Sequence, residues 1–244
     1  MAALESIPYS YFDPTRVVIY FFIGRMNPPH PGHEAVLRQM MALAESERSI
    51  PLILVGSGPN GGERTLNDPL TFSTKRRVLQ HRLAGCLCEI REKTEPIRDV
   101  IEWAHEVVRN RGVPESIEFK LVVGDKDGNA TKLDWIHKSI MKQMEQTGIP
   151  CRSSSIAIPA QVSAGVEMSA TKVRQDALTA FVSGDGSFNK YSGYYGPHTP
   201  NVYGEIVELA TGVGEEGVMH YISTGELQKS SKSKSKSKSK KKNS

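Results

Sequence analysis

The run Val17-Val18-Ile19-Tyr20-Phe21-Phe22-Ile23 constrains this chain more than any other stretch, because no alternation within it offers a face to water. It is apolar throughout and rich in β-branched and aromatic residues. That composition predicts a strand covered on both faces, as in a parallel sheet. The run breaks into the loop Gly24-Arg25-Met26-Asn27-Pro28-Pro29-His30-Pro31-Gly32-His33. From Glu34 to Ala44 the apolar residues Ala35, Val36, Leu37, Met40, Met41 and Leu43 then supply a helical face. Two histidines therefore fall where a strand passes into the amino end of a helix. Free backbone N–H groups and the helix dipole favour anions at such a place. Histidine adds donors that titrate near neutral pH, and Gly32 admits close approach to the backbone. A nucleoside triphosphate is the expected occupant.

The alternation continues down the chain. Residues 51–58 read as a short strand ending in a glycine loop, 71–84 as a helix carrying Lys75, Arg76 and Arg77, and 97–110 as a second helix. Residues 119–125 return to a strand that ends in Gly124-Asp125, 133–146 are helical, and 154–158 read as a further strand. This order predicts an α/β architecture, a doubly wound parallel sheet with flanking helices. Ligands of such sheets bind beyond the carboxyl ends of the strands. The loops at 24–33, 56–58 and 124–125 all fall there.

From Phe181 the character changes. Gly184, Gly186, Gly193 and Gly196 mix with Tyr191, Tyr194, Tyr195, Pro197 and Pro200, which reads as an ordered but irregular segment, with Val202–Ala210 as a last short helix or strand. The expected organisation is a lead-in over 1–16, one domain over 17–180, a Gly/Tyr-rich segment over 181–227 packed on it, and a disordered Lys/Ser tail over 228–244.

At 244 residues the chain can bury one substantial core. No apolar run has the length of a membrane span, and the start lacks the basic-then-apolar pattern of a secretory leader. Cys86, Cys88 and Cys151 fit neither a disulfide framework nor a structural zinc site, so a reducing intracellular compartment, cytoplasmic or nuclear, is expected. The last sixteen residues hold eight lysines and no acid; without them the net charge of +4 becomes −4. The folded part is thus mildly acidic and does not read as a surface for duplex nucleic acid. Weak, salt-dependent contact with polyanions is expected of the tail alone.

The Gly-Arg-x-x-Pro-x-His-x-Gly-His pattern over residues 24–33 resembles the HxGH signature of the nucleotidyltransferase superfamily, and within it the opening of the nicotinamide-mononucleotide adenylyltransferases. Met168-Ser169-Ala170-Thr171-Lys172-Val173-Arg174 is similar to the S/T-x-T-x-x-R element of the same superfamily. Ser169 suits a helix N-cap, and Lys172 and Arg174 place cations near a helix start. Residues 67–79 resemble the family segment that leads into a helix near the acceptor, with Arg77 matched to the family arginine and Arg76 as its rival. Gly124-Asp125 followed by Trp135 is similar to a Gly-x-Asp…Trp pattern, although the glycine and aspartate are adjacent here. The resemblance covers about residues 17 to 180 and implies a Rossmann-like, cytidylyltransferase-like single domain.

It also implies roles. His30, His33 and Arg174 would be the catalytic groups. Gly24, Arg25, Met26, Gly32, Gly124, Asp125, Ser169, Thr171 and Lys172 would bind the nucleotide, and Ser57, Arg77 and Trp135 the acceptor. The implied reaction is in-line attack by an acceptor phosphate on the α-phosphorus of ATP, expelling pyrophosphate. Magnesium would be held mainly by the phosphates and water rather than by protein ligands. Nicotinamide mononucleotide is the leading acceptor; a cytidylyltransferase or another adenylyltransferase, and a non-catalytic nucleotide- or nucleic-acid-binding protein, stay open, as does a homo-oligomer. A class I aminoacyl-tRNA synthetase fragment shares the H-x-G-H frame, but the chain is short for one and lacks its Lys-Met-Ser-Lys-Ser run in the right place.

Overall fold

The computed structural model describes residues 8–56, 63–124, 130–159 and 168–227. Five strands, β1 (Arg16–Gly24), β2 (Leu52–Val55), β3 (Glu89–Glu92), β4 (Ser116–Gly124) and β5 (Cys151–Ile158), form one all-parallel sheet in the order β3-β2-β1-β4-β5. The helices are α1 (Pro31–Ser46), α2 (Phe72–Arg82), α3 (Pro96–Arg111), α4 (Ala130–Met144), α5 (Ala170–Ser183), α6 (Ser192–Tyr195) and α7 (Thr199–Thr224).

The continuous apolar character of β1 follows from its central place. Val17, Ile19 and Phe21 join one core with residues of α3 and α4. Val18, Tyr20 and Phe22 join a second core with residues of α1 and with Leu79 of α2. A polar substitution at any of these positions has no solvent face to turn to, whichever side it points.

Strand order reverses at β1: β2 and β3 follow on one side, β4 and β5 on the other. A crevice at the carboxyl ends of β1 and β4 is the consequence, and this is where open α/β sheets take ligands. Gly24 and Gly124 end those two neighbouring strands.

Two parts differ from the sequence reading. Strand β3 was not expected; its sequence Glu-Ile-Arg-Glu buries Ile90 alone, and as an edge strand it needs no apolar run. The segment from 181 onward is helical rather than irregular, and Val202–Ala210 is part of a 26-residue helix with a non-helical kink at Gly214 (φ +78°). Four glycines at 204, 212, 214 and 217 weaken the local helical signal. Tertiary burial offsets that weakness: Val202, Ile206, Ala210, Val218 and Tyr221 pack with Val173, Ala177 and Leu178 of α5 in a third core. Among the described residues, no helix is long and apolar enough to cross a membrane. The tail beyond 227 lies outside the described residues.

Candidate functional site

The first turn of α1 organises the histidines. His30 is its N-cap, with extended backbone, and its Nδ1 accepts the Gly32 N–H at 3.2 Å. The ring proton of neutral His30 therefore resides on Nε2, leaving that nitrogen as a donor. A Cβ at Gly32 would stand 3.0 Å from His30 Cε1, so glycine lets the imidazole fold back over its own helix. The His33 ring lies against that of His30, tilted by 37° with centroids 3.8 Å apart. Burial pulls His30 down to about 4 and His33 to about 3, the latter helped by repulsion from His30. Both rings are neutral donors at pH 7. His33 Nδ1 is buried without a hydrogen-bond partner.

Met26 occupies the left-handed region (φ +50°), and its side chain, 2 % exposed, belongs to the core under α1. Only its backbone faces the loop. The Asn27 side chain is buried with both polar atoms unpaired.

The start of α5 reaches the same loop. Ser169 caps the helix by accepting the Lys172 N–H at 3.1 Å. Arg174 is buried; its Nη1 donates to the Asn27 carbonyl, its Nε to Tyr221 Oη at 2.6 Å and its Nη2 to Thr171 Oγ1 at 3.1 Å. Two motifs separated by about 140 residues in the chain thus meet at Arg174 and Asn27. All three acceptors are neutral, and two of its five N–H groups find no acceptor among the described residues. Lys172 turns elsewhere, to Asp176 at 2.7 Å, which also accepts from Lys190 and Tyr191.

Two tyrosines beyond residue 180 complete the loop's support. Tyr195 Oη donates to the Pro29 carbonyl at 3.0 Å, and Tyr221 Oη lies within hydrogen-bond distance of Leu66 O and Asn67 Oδ1. Sequence reasoning did not single them out; an excess of tyrosine in a glycine-rich segment was the only signal.

On the other side of the loop, Lys75 of α2 is fully buried and donates to the Gly56 carbonyl at 2.6 Å and to Asp68 Oδ1 at 2.7 Å. Desolvation pulls its pKa down against the opposing pull of Asp68. It is this lysine that α2 sends toward the carboxyl edge, whereas Arg77 is exposed and Arg76 has a buried Nε without a partner. The amino end of α2 is occupied from within the chain: Glu205 of α7 accepts from Thr71 N, Thr71 Oγ1 and Thr74 Oγ1 at 2.6–2.9 Å. Trp135 on α4 is 58 % exposed. Ser57 and Asp125 lie outside the described residues. A cavity of about 370 Å³, lined by Tyr11, Arg38, Met41, Glu45, Ser49 and Cys86 among others, lies between α1 and the turn before β3 and includes no residue of this cluster.

No protein-family model and no curated protein sequence matches the chain. Among solved structures the chain is similar to a macrolide-efflux protein from Streptococcus pneumoniae, at 14% identity and a TM-score of 0.37. That alignment covers 75% of this chain and 56% of the other, so the chain spans little more than half the length of that protein. A likeness at this level carries no argument about activity.

Proposed function

We propose that this chain is a nucleotidyltransferase that transfers AMP from ATP to a phosphorylated acceptor, nicotinamide mononucleotide being the leading candidate, with release of pyrophosphate. The observation that carries this reading is the contact of Arg174, in the first turns of α5, with the loop that carries the adjoining His30 and His33 rings, beside the sheet's switch point. The groups of the two motifs are suited to a chain of phosphates: neutral imidazole donors, a cation with N–H groups unspent among the described residues and a helix amino end with no acid in its first turn.

An acceptor phosphate is already an anion near pH 7, so the reaction needs neither a protein base nor a covalent intermediate. The chain's task is to align the two reactants and to stabilise charge as it moves onto the leaving pyrophosphate. His30 and His33 hold α- and β-phosphate oxygens; Arg174, Thr171 and the backbone at Ser169 hold the pyrophosphate. Magnesium accompanies the triphosphate and neutralises phosphate charge when bound. Among the described residues no group of three or more His, Cys, Asp or Glu gathers to coordinate a metal.

The test is pyrophosphate release over a matrix of ATP and CTP against nicotinamide mononucleotide and other phosphorylated acceptors. His33→Ala is expected to lower turnover by about 100- to 1,000-fold with the fold retained. Equal release from variant and parent refutes the assignment, and release with CTP alone moves it to a cytidylyltransferase.

A further inference from the structure

The cavity of about 370 Å³ opens at the amino ends of β2 and β3, the end of the sheet opposite to the histidines. Its volume is that of a small-molecule pocket, about 300–1,000 Å³. One wall is a face of α1, on which Arg38, Met41 and Glu45 recur at spacings of three and four. Seven residues, two helical turns and about 10 Å of axis separate the first of these from the last. The turn before β3 supplies another wall, with the half-buried Cys86 and the exposed side chain of Leu87.

The α1 wall is therefore cationic at one end, anionic at the other and apolar between, and both charged ends have capacity left. Arg38 donates from Nε to Glu34 at 2.8 Å, from Nη2 to the Arg82 carbonyl and from Nη1 to Cys86 Sγ at 3.7 Å. Two of its five N–H groups find no acceptor among the described residues. The Glu45 side chain has neither a hydrogen-bond nor an ion-pair partner among those residues. At Cys86 the guanidinium stands where negative charge develops as the thiol gives up its proton, the setting of an exchange-competent cysteine. The other two thiols are held back. Burial pushes Cys88 up to about 12, and it raises Cys151, whose Sγ lies 3.7 Å from Met141 Sδ.

We propose that this cavity binds a small zwitterionic disulfide built of amino-acid units, and that Cys86 exchanges with it to form a mixed disulfide. Each such unit carries a carboxylate and an ammonium. The carboxylate pairs with the free N–H groups of Arg38, the ammonium with Glu45, and the aliphatic part lies along Met41 and Leu87. The exchange step balances without a further oxidant. Cys86 releases its proton to solvent, and its sulfur attacks one sulfur of the bound disulfide. A new S–S bond forms as the old one breaks, and the departing half leaves as a thiolate that takes up a proton. The Cys86 sulfur is oxidised to the disulfide level and the departing sulfur is reduced. Nothing in this site depends on the nucleotidyltransfer reading, because the two sites lie at opposite ends of the sheet.

The experiment treats the full chain with oxidised glutathione as the probe and with 2-hydroxyethyl disulfide as an uncharged control, and follows the adducts by intact mass and peptide mapping. With the probe, the adduct is expected on Cys86 alone, and Cys86→Ser takes none. The rate is expected to saturate with oxidised glutathione, because binding precedes exchange, and to rise linearly with the control. Glu45→Gln changes an exposed side chain and removes one charge of the pair. At sub-saturating probe it is expected to slow the reaction about threefold, the size of one solvated ion pair, and to leave the control rate unchanged. No adduct, or an adduct spread equally over Cys88 or Cys151, overturns the site. A linear dependence on oxidised glutathione, or the parental rate in Glu45→Gln, reduces Cys86 to an accessible thiol and overturns the pocket.

Discussion

The amino ends of α2 and α5 make the most instructive contrast in this molecule. Each helix sends one buried cation toward the carboxyl edge of the sheet, Lys75 from α2 and Arg174 from α5. Around α2 the chain supplies its own anions: Asp68 pairs with Lys75 and Glu205 covers the helix end. At α5, Asp176 pairs with Lys172, while Arg174 is held by a carbonyl, a phenol and a hydroxyl and has no carboxylate partner among the described residues. Helix ends of the same dipole are thus put to opposite uses. The first is closed by the chain's own acids; the second is, on the proposed function, the one left for an external anion.

Breaking the two cations in parallel sharpens the contrast. Lys75→Met leaves the Asp68 carboxylate buried without its partner, and loss of one member of such a pair costs about 3–5 kcal/mol of stability. Urea denaturation should register that loss, and activity should fall only as the folded fraction falls. A variant as stable as the parent would show that the pair is not closed to water. Arg174→Met is expected to act on the other quantity. Turnover should drop about 100- to 1,000-fold, with a smaller change in the denaturation midpoint, because its partners are neutral groups near the loop. Turnover within threefold of the parent would make Arg174 a joint between α5, α7 and the loop and nothing more.

Acid should separate the loop from the rest of the chain next. The ordinary histidine value is near 6.5, and the folded values of His30 and His33 are about 4 and about 3. Below pH 6.5 the unfolded chain takes up protons that the folded chain refuses, so stability falls as pH falls, down to the folded values. The slope approaches about 1.4 kcal/mol per pH unit for each ring. Between pH 7 and pH 5 this amounts to roughly 2 kcal/mol for His33 alone. The stability lost between the two pH values, read from denaturation curves, should be smaller in His33→Gln than in the parent by that amount. Parallel lines would mean that the ring is solvated in the folded state.

The smallest effect tests the closed end. Glu205→Gln keeps an oxygen for one of the three donors at Thr71 and Thr74 but loses the charge opposite the α2 dipole. A loss of about 1–2 kcal/mol is expected. A gain in phosphate affinity for this variant would show that α2, too, can accept an external anion.

Much of this arrangement was legible before any coordinates. Strands β1 and β2 announce themselves because a strand covered on both faces is apolar at nearly every position, and β4 does so through Leu121-Val122-Val123 despite Lys120. The His30 cap and the Ser169 cap are equally local, each set by a side chain and an N–H two or three residues away. Where the reading fell short, the cause was distance in the chain. Strand β3 has one buried side chain, and its neighbours answer to charge partners: Arg91 between Glu89 and Glu106. Helix α7 looks irregular through its glycines, and its helicity comes from burial against α5. Arg77 carried the family match on α2, yet Lys75, two positions earlier, is the one the helix turns inward; a basic run does not state which of its members faces the sheet.

By itself, then, the sequence determined the strand–loop–helix unit that carries the histidines, the capped start of α5 and the parallel α/β plan, since these depend on periodicity and on contacts a few residues long. Only the tertiary structure decided that Arg174 closes on Asn27, that Tyr195 braces the loop while Tyr221 holds Arg174, and that Glu205 fills the end of α2. Each of those depends on which charges and hydroxyls the packed layers bring together, and chain order does not encode that in any local pattern.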